Sequence, residues 1–190
     1  LTPDMTLLRD LARGVPGMYV PALYPLNNAG PRCHRVPAAE TDLPFPVRKQ
    51  VVQDLATTPF ARAPIVPFCE AVHDRAQIEI MRGCVRGCRF CQAGMVTRPQ
   101  REKDAHAVVR EALEVIAASG YEDLTLASLS ASDCSTLPAV LRALLDNAAQ
   151  PTLQTAVSLP SLRVDSFSAE IAELIRRVRK TGFTFAPEAA

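Results

Sequence analysis

The stretch QIEIMRGCVRGCRFCQAG, residues 77–94, decides how this chain is read. Its first part alternates the apolar Ile78 and Ile80 with polar neighbours, the period of a strand with one buried face. At Gly83 the alternation gives way to a loop in which Cys84, Cys88 and Cys91 follow one another with C-x3-C-x2-C spacing. A predicted strand thus runs straight into a cysteine loop at its carboxyl end. Such short spacings let three thiolates converge on one iron-sulfur cubane without straining the backbone, and Gly83 and Gly87 relax the chain and permit close approach. An electron-transfer [4Fe-4S] site is normally held by four cysteines. A loop offering three, with no fourth nearby, leaves one iron open to another molecule.

Downstream the pattern becomes regular. Ala105, Val108, Val109, Ala112, Leu113 and Ile116 fall at i, i+3, i+4, i+7, i+8 and i+11, the apolar stripe of a helix ending near Gly120. A strand is expected at 123–129, then a helix with Leu137, Val140, Leu141, Leu144 and Leu145 on one face, and a strand at 153–159. Ser168 is placed to cap a helix bearing Ile171, Ala172, Leu174, Ile175 and Val178, which Gly182 closes before a fourth strand at 183–186. Strands alternating with helices of this length imply a parallel sheet of βα units, here β, α, β, α, β, α, β.

Upstream the texture differs. Residues 1–76 hold most of the 16 prolines, in stretches such as VPGMYVPALYPLNNAGP, LPFPV and TPFARAPIVPF. Proline removes ladder donors and breaks helices, so this region reads as a wrapping extension or linker of loops and short extended pieces, with helix candidates only at 7–13 and 46–56. The domain reading is an extension over 1–76 and a core over 77–190.

With 190 residues, 48% of them hydrophobic, the chain buries a real core. Lys and Arg total 21 against 20 for Asp and Glu, so the whole-chain charge argues neither for nucleic acid nor for a membrane surface. No apolar run reaches the 18 or so residues that span a bilayer, and the start LTPDMTLLRD is unlike a signal peptide. Clustered thiols in such a chain favour a metal site in a reducing compartment, and the expected location is the cytoplasm. Leu1 is not an initiator methionine and Ala190 directly follows a predicted strand, so a piece of something longer is expected.

The residues RGCVRGCRFCQAG resemble the cluster loop of the radical S-adenosylmethionine (radical SAM) superfamily, including the aromatic Phe90 just before the third cysteine. The resemblance implies that Cys84, Cys88 and Cys91 hold a [4Fe-4S] cluster, and that the open iron is chelated by the amino and carboxylate groups of S-adenosylmethionine (SAM). It further implies one-electron cleavage of SAM to a 5'-deoxyadenosyl radical, with Phe90 packed beside the adenine. The cofactor carries the hard chemistry, while the protein positions it and excludes water and oxygen. The implied fold is α/β, a partial parallel (βα) barrel of the radical SAM type, with four strands seen of an expected six after the Pro-rich extension. Such barrels place their sites on loops at the carboxyl ends of the strands, where this loop is expected. With two strands missing, the sheet is expected to have an exposed edge and to be incomplete on its substrate side.

The words VPFCEAVHDRAQIEIMRGCVRGCRFCQAG, SLSASD, SLPSLRVDSF and TFAPEA together resemble an uncharacterised fused family of radical SAM proteins, over roughly residues 59–190. Its members carry a vitamin-B12-binding-like domain before the barrel and a further domain after it, and the methylthiotransferases are its neighbours. That resemblance implies cobalamin as a further cofactor, held by a domain outside this sequence. Many superfamily members carry a Gly-Gly-Glu motif after the second strand to hold the SAM amino group. Residues 128–133 here read Ser-Leu-Ser-Ala-Ser-Asp, so Ser130 and Asp133 are nominated for that role. By strand-end geometry Ser158 and Arg163 are nominated for the ribose and carboxylate of SAM, and Glu188 for a ribose or substrate hydroxyl.

Other readings compete. A structural zinc needs four ligands, and no paired CxxC or HxxxH completes the set. A non-catalytic iron-sulfur module for electron transfer or redox sensing needs a fourth protein ligand, for which Cys69 and Cys134 are the candidates. Isolated cysteines such as Cys33, Cys69 and Cys134 otherwise read as small buried hydrophobes. His34 and His73 read as surface or hydrogen-bonded residues before metal ligands. Arg82, Arg86, Arg89, Arg98, Arg101 and Lys103 form a basic run around the loop. They suit an anionic cluster, the SAM carboxylate and an acidic electron donor such as flavodoxin or ferredoxin, or else make an ordinary solvated face. The basic end of the last helix, Arg176 to Lys180, reads as dipole complementation. The substrate, whether RNA, protein or cofactor, has no trace in the sequence.

Overall fold

The computed structural model describes residues 4–27, 34–35, 42–69, 71–148, 156–176 and 185–186. Two compact units divide the chain, residues 1–52 and 53–190. In the first, helix α1 (Met5–Gly14) covers the helix expected at 7–13, and the Asp4 carboxylate caps it by accepting from the Thr6 amide at 2.9 Å. A short antiparallel pair follows, β1 (Leu26–Asn27) with β2 (His34–Arg35). The unit's core is small: Ala12, Leu23, Tyr24 and Leu43, with the Tyr24 hydroxyl donating to the Pro44 carbonyl at 3.0 Å.

The helix expected at 46–56 does not form. Only a 3-10 turn, Leu55–Thr57, stands at its end, capped by Asp54. Val47, Val51 and Leu55 keep the spacing of a helix face, but Val47, Val51 and Val52 are β-branched and poor helix formers, and no acid, serine or threonine directly precedes Pro46 to cap a first turn. The segment then crosses helix α3 (Ala105–Ser119), where Arg62 pairs with Glu114 at 3.7 Å and stacks 5.4 Å over Phe60, which packs on the main core.

The second unit is α/β. Its centre is a three-stranded parallel sheet in the order β3 (Ala76–Glu79), β6 (Asp123–Ala127), β7 (Ala156–Ser158). The register sets Ala76 opposite Leu124 and Asp123 opposite Ala156. Helix α3 makes the first crossover and α4 (Leu137–Ala148) the second, and α5 (Ala169–Arg176) follows β7. Ile78, Val108, Ala112, Leu124, Leu126, Leu137, Val140 and Leu141 fill the space between sheet and helices. Gly120, at φ 74°, ends α3 in the left-handed conformation, its N–H bonding back to Ile116, as a C-terminal glycine does.

Two strands break where the sheet ends, and both breaks shape the site. After Ile80 the first strand parts from its parallel neighbour: the Ile80 amide still donates to the Ala127 carbonyl at 3.0 Å, but its carbonyl accepts from the Lys103 amide at 2.8 Å. The next two residues, β4 (Met81–Arg82), pair antiparallel with β5 (Arg101–Glu102), so a two-residue ladder closes the base of the intervening loop. That loop includes the short helix α2 (Gln92–Val96). After β7, Pro160 and Ser161 (φ 60°) turn the chain out of the sheet. β8 (Leu162–Arg163) then pairs in parallel with β9 (Phe185–Ala186), so the expected fourth strand meets an offset continuation of the third. Among the described residues no helix is long and apolar enough to cross a membrane.

Candidate metal centre

The cysteine loop leaves the carboxyl end of β3, and the turns that face it leave the carboxyl ends of β6 and β7. Gly83, at φ 82°, makes this possible. A Cβ there would lie 2.6 Å from the Pro99 carbonyl oxygen and 2.9 Å from that of Thr97, where the outgoing and returning chains cross. Cys84, Cys88 and Cys91 are free thiols, each half-buried.

Cys91 precedes α2, and its Sγ accepts from the Gly94 amide at 3.3 Å. The bare α-carbon of Gly94 faces two of the cysteines: a Cβ on it would come within 3.5 Å of Cys91 Sγ and 4.0 Å of Cys84 Cβ. At the third cysteine, Arg163 Nη1 donates to Cys88 Sγ across 3.6 Å. Among the described residues no three His, Cys, Asp or Glu side chains are drawn together at metal-binding spacing. Three accessible thiols, an amide and a guanidinium aimed at sulfur, and a glycine cradle between two of the cysteines nonetheless suit a thiolate-held iron-sulfur cluster.

An ionic chain braces this loop against the other strand ends. Arg86, between Cys84 and Cys88, donates from Nε to Asp133 Oδ2 at 2.8 Å and from Nη2 to Asp133 Oδ1. Its Nη1 reaches Asp165 Oδ2 at 3.3 Å. Arg163 grips the same Asp165 with Nε at 3.0 Å and Nη2 at 3.1 Å. Ser130 donates to Asp133 at 2.7 Å, and Ser132, bonded to Ser166 at 2.8 Å, accepts from the Arg163 amide at 3.0 Å. Glu102 accepts from the Ser135 amide at 3.0 Å and from its hydroxyl, tying β5 to the turn that carries Asp133.

The nominated residues therefore divide. Ser130, Asp133 and Arg163 join one network with the cysteine loop; Ser130 and Asp133 spend oxygens inside it, and Arg163 contacts a cysteine sulfur. Ser158 ends β7, half-buried opposite Thr125. Phe90 stands exposed on the loop, and Glu188 lies outside the described residues. Asp165, Ser132 and Ser166 escaped the sequence reading; the only local signal was an acid two residues beyond Arg163.

The remaining cysteines separate as well. Cys134 is buried in the core beside Leu137, and burial raises its thiol pKa, which suits a structural thiol rather than a ligand. Cys69 is exposed, unlike the buried cysteine expected there, and Cys33 lies outside the described residues. His73 is exposed.

The Arg86 guanidinium, bonded to both carboxylate oxygens, holds the Asp133 pKa down from 3.8 to about 2 against the opposing effect of burial, with help from Ser130 and Ser166. A carboxylate whose folded pKa is depressed contributes stability above its unfolded value, and that contribution is lost as pH falls through the folded one. Asp133→Asn is expected to cost about 1.5–3 kcal/mol at neutral pH, because a charged hydrogen-bond partner is removed. The gap between variant and parent should close as pH falls from 3.8 towards 2. Urea unfolding of both cluster-free proteins across that range checks this, and a gap independent of pH would refute it.

Fold and site define a class: an α/β domain with a three-thiol loop at the carboxyl edge of a parallel sheet. The family model described as Radical SAM superfamily matches residues 78–190, more than half of the chain, and the chain belongs to that superfamily. Its members are generally enzymes that bind a [4Fe-4S] cluster and SAM, so the domain is that of a SAM-dependent radical enzyme core. No curated protein gives a match to the chain.

Proposed function

We propose that this chain is part of a radical SAM barrel in which Cys84, Cys88 and Cys91 hold a [4Fe-4S] cluster that binds SAM at its open iron. The observation that carries this reading is the set of three free, half-buried thiols on one loop, closed by β4 and β5 at the carboxyl edge of the sheet. When bound, the cluster and SAM supply a one-electron cleavage that generates a 5'-deoxyadenosyl radical for hydrogen abstraction from a substrate.

The chain's own residues do the rest. Gly83 lets the loop fold back on itself, the Gly94 amide and the Arg163 guanidinium supply donors to thiolate sulfur, and the ionic chain through Arg86 fixes the loop against β6 and β8. The exposed Arg89 and Arg98 suit the approach of an acidic electron carrier of the flavodoxin or ferredoxin kind. A non-catalytic iron-sulfur module would need a fourth protein ligand, and the burial of Cys134 in the core weighs against that residue.

Electron paramagnetic resonance on anaerobically reconstituted, dithionite-reduced protein tests the reading. A reduced [4Fe-4S] signal is expected, and its shape is expected to change when SAM is added. A cluster signal indifferent to SAM, or no cluster at all, would overturn it.

A further inference from the structure

The strand β8 ends on an arginine that is held at its amide and at its guanidinium. The Arg163 amide donates to Ser132, its Nε and Nη2 grip both oxygens of Asp165, and its Nη1 meets Cys88 Sγ at 3.6 Å. Its side chain is only 15% exposed. A half-buried cation is costly unless paired, and Asp165 supplies the pair. Asp165 in turn shares Arg86 with Asp133, so two cations and two carboxylates alternate in a line that ends at a cysteine sulfur. The line is formally neutral, yet the end that touches sulfur is positive. Cys88 and Arg163 are 75 residues apart in the chain, so this contact exists only through the fold.

Hydrogen bonds and positive charge at a ligating sulfur favour the reduced, more negative form of an iron-sulfur cluster and so raise its reduction potential. We propose that Arg163 sets the potential of the cluster held by Cys88, by donating from Nη1 to the ligating sulfur, and that Asp165 is the residue that positions it. This inference rests on the function proposed above and assigns Arg163 a role at the cluster instead of the SAM carboxylate. Reduction of such a cluster takes up one electron and breaks no bond. Arg163 loses no proton in that step; it lowers the cost of the added charge.

The test is a dithionite titration of anaerobically reconstituted protein without SAM, followed by the cluster's reduced signal. Three variants accompany the parent: Arg163→Gln, Arg163→Lys and Arg89→Gln, the last removing the same charge from an exposed position beside Cys88. Arg163→Gln is expected to lower the midpoint so that the reduced-to-oxidised ratio at a fixed potential falls about tenfold, roughly 59 mV for one electron. Arg163→Lys is expected to keep the charge but lose the fork and give a smaller downward shift, which still reads the effect if the glutamine variant loads poorly. Arg89→Gln is expected to move the midpoint by less than half as much as Arg163→Gln.

Equal shifts in Arg163→Gln and Arg89→Gln would reduce the effect to bulk charge and overturn the proposal. So would an unmoved midpoint together with SAM affinity weakened about tenfold in a separate anaerobic binding titration of Arg163→Gln, which would place Arg163 on the SAM carboxylate. If the parent assembles no cluster the proposed function fails; if parent and variants load equally and share one midpoint, only the role of Arg163 fails.

Discussion

Serine in place of Cys84, Cys88 or Cys91, one at a time, is expected to reduce the iron bound after anaerobic reconstitution from about four atoms per chain to below about one. The serine hydroxyl is a hard, weakly acidic oxygen, whereas cluster iron is held by thiolate. With only three protein thiolates on the loop, losing one leaves two, and among the described residues the other cysteines make poor substitutes: Cys134 is 3% exposed in the core beside Leu137. Cys69→Ser and Cys134→Ala are the matched controls and should retain the full iron content. Iron and sulfide analysis of the five variants decides the matter. Retention of iron in Cys88→Ser, or its loss in Cys69→Ser, would point to a different ligand set.

The second large effect lies away from the loop. Lys103 and Glu111 form an ion pair at 2.7 Å, with side chains only 4% and 2% exposed. Glu111 Oε1 is buried and has no hydrogen-bond partner among the described residues, so the pair is incompletely satisfied there. Removing one partner strands a buried charge, and Glu111→Ala is expected to cost about 3–5 kcal/mol. Replacing both, Lys103→Met with Glu111→Leu, should be neutral or stabilising by about 1–4 kcal/mol, since the desolvation of two charges then disappears. Denaturant unfolding of the single and double variants measures both numbers. A double variant no more stable than Glu111→Ala would mean that the pair contributes more than its desolvation costs.

The same pair shows where a sequence stops being readable. The apolar stripe from Ala105 to Ile116 locates α3 and its glycine end, because a 3.6-residue period and a left-handed cap are local facts. An acid inside such a stripe reads as outward-facing, yet Glu111 points inward, because its partner arrives from the end of β5. The cysteine loop and its position after a strand were legible for the same local reason. The line from Asp133 through Arg86, Asp165 and Arg163 to Cys88 was not: apart from the local link of Arg163 to Asp165 its contacts span 47, 79 and 75 residues, and nothing in the spacing of a loop records which strand end will face it. The small ladder of β4 with β5 was missed because two residues carry no period. The fourth strand was anticipated as a segment but not in its pairing, since Pro160 and Ser161 turn the chain out of the third strand into β8, and it is β8 that the fourth strand meets.

That ladder has a consequence for the life of the protein. The loop is closed at its base by β4 and β5, with Met81 sunk in the core, and braced at its side by ions, while the sheet and α3 to α5 bury the rest of that core. Opening the loop beyond the ladder, over residues 83–100, breaks a few hydrogen bonds and ion pairs and leaves the core closed, the arrangement of a separate, low-energy opening unit. On the function proposed above, a molecule that loses its cluster is expected to keep this scaffold and to be reloaded without passing through the unfolded state. The rest of the domain is then the jig on which the proposed centre is built.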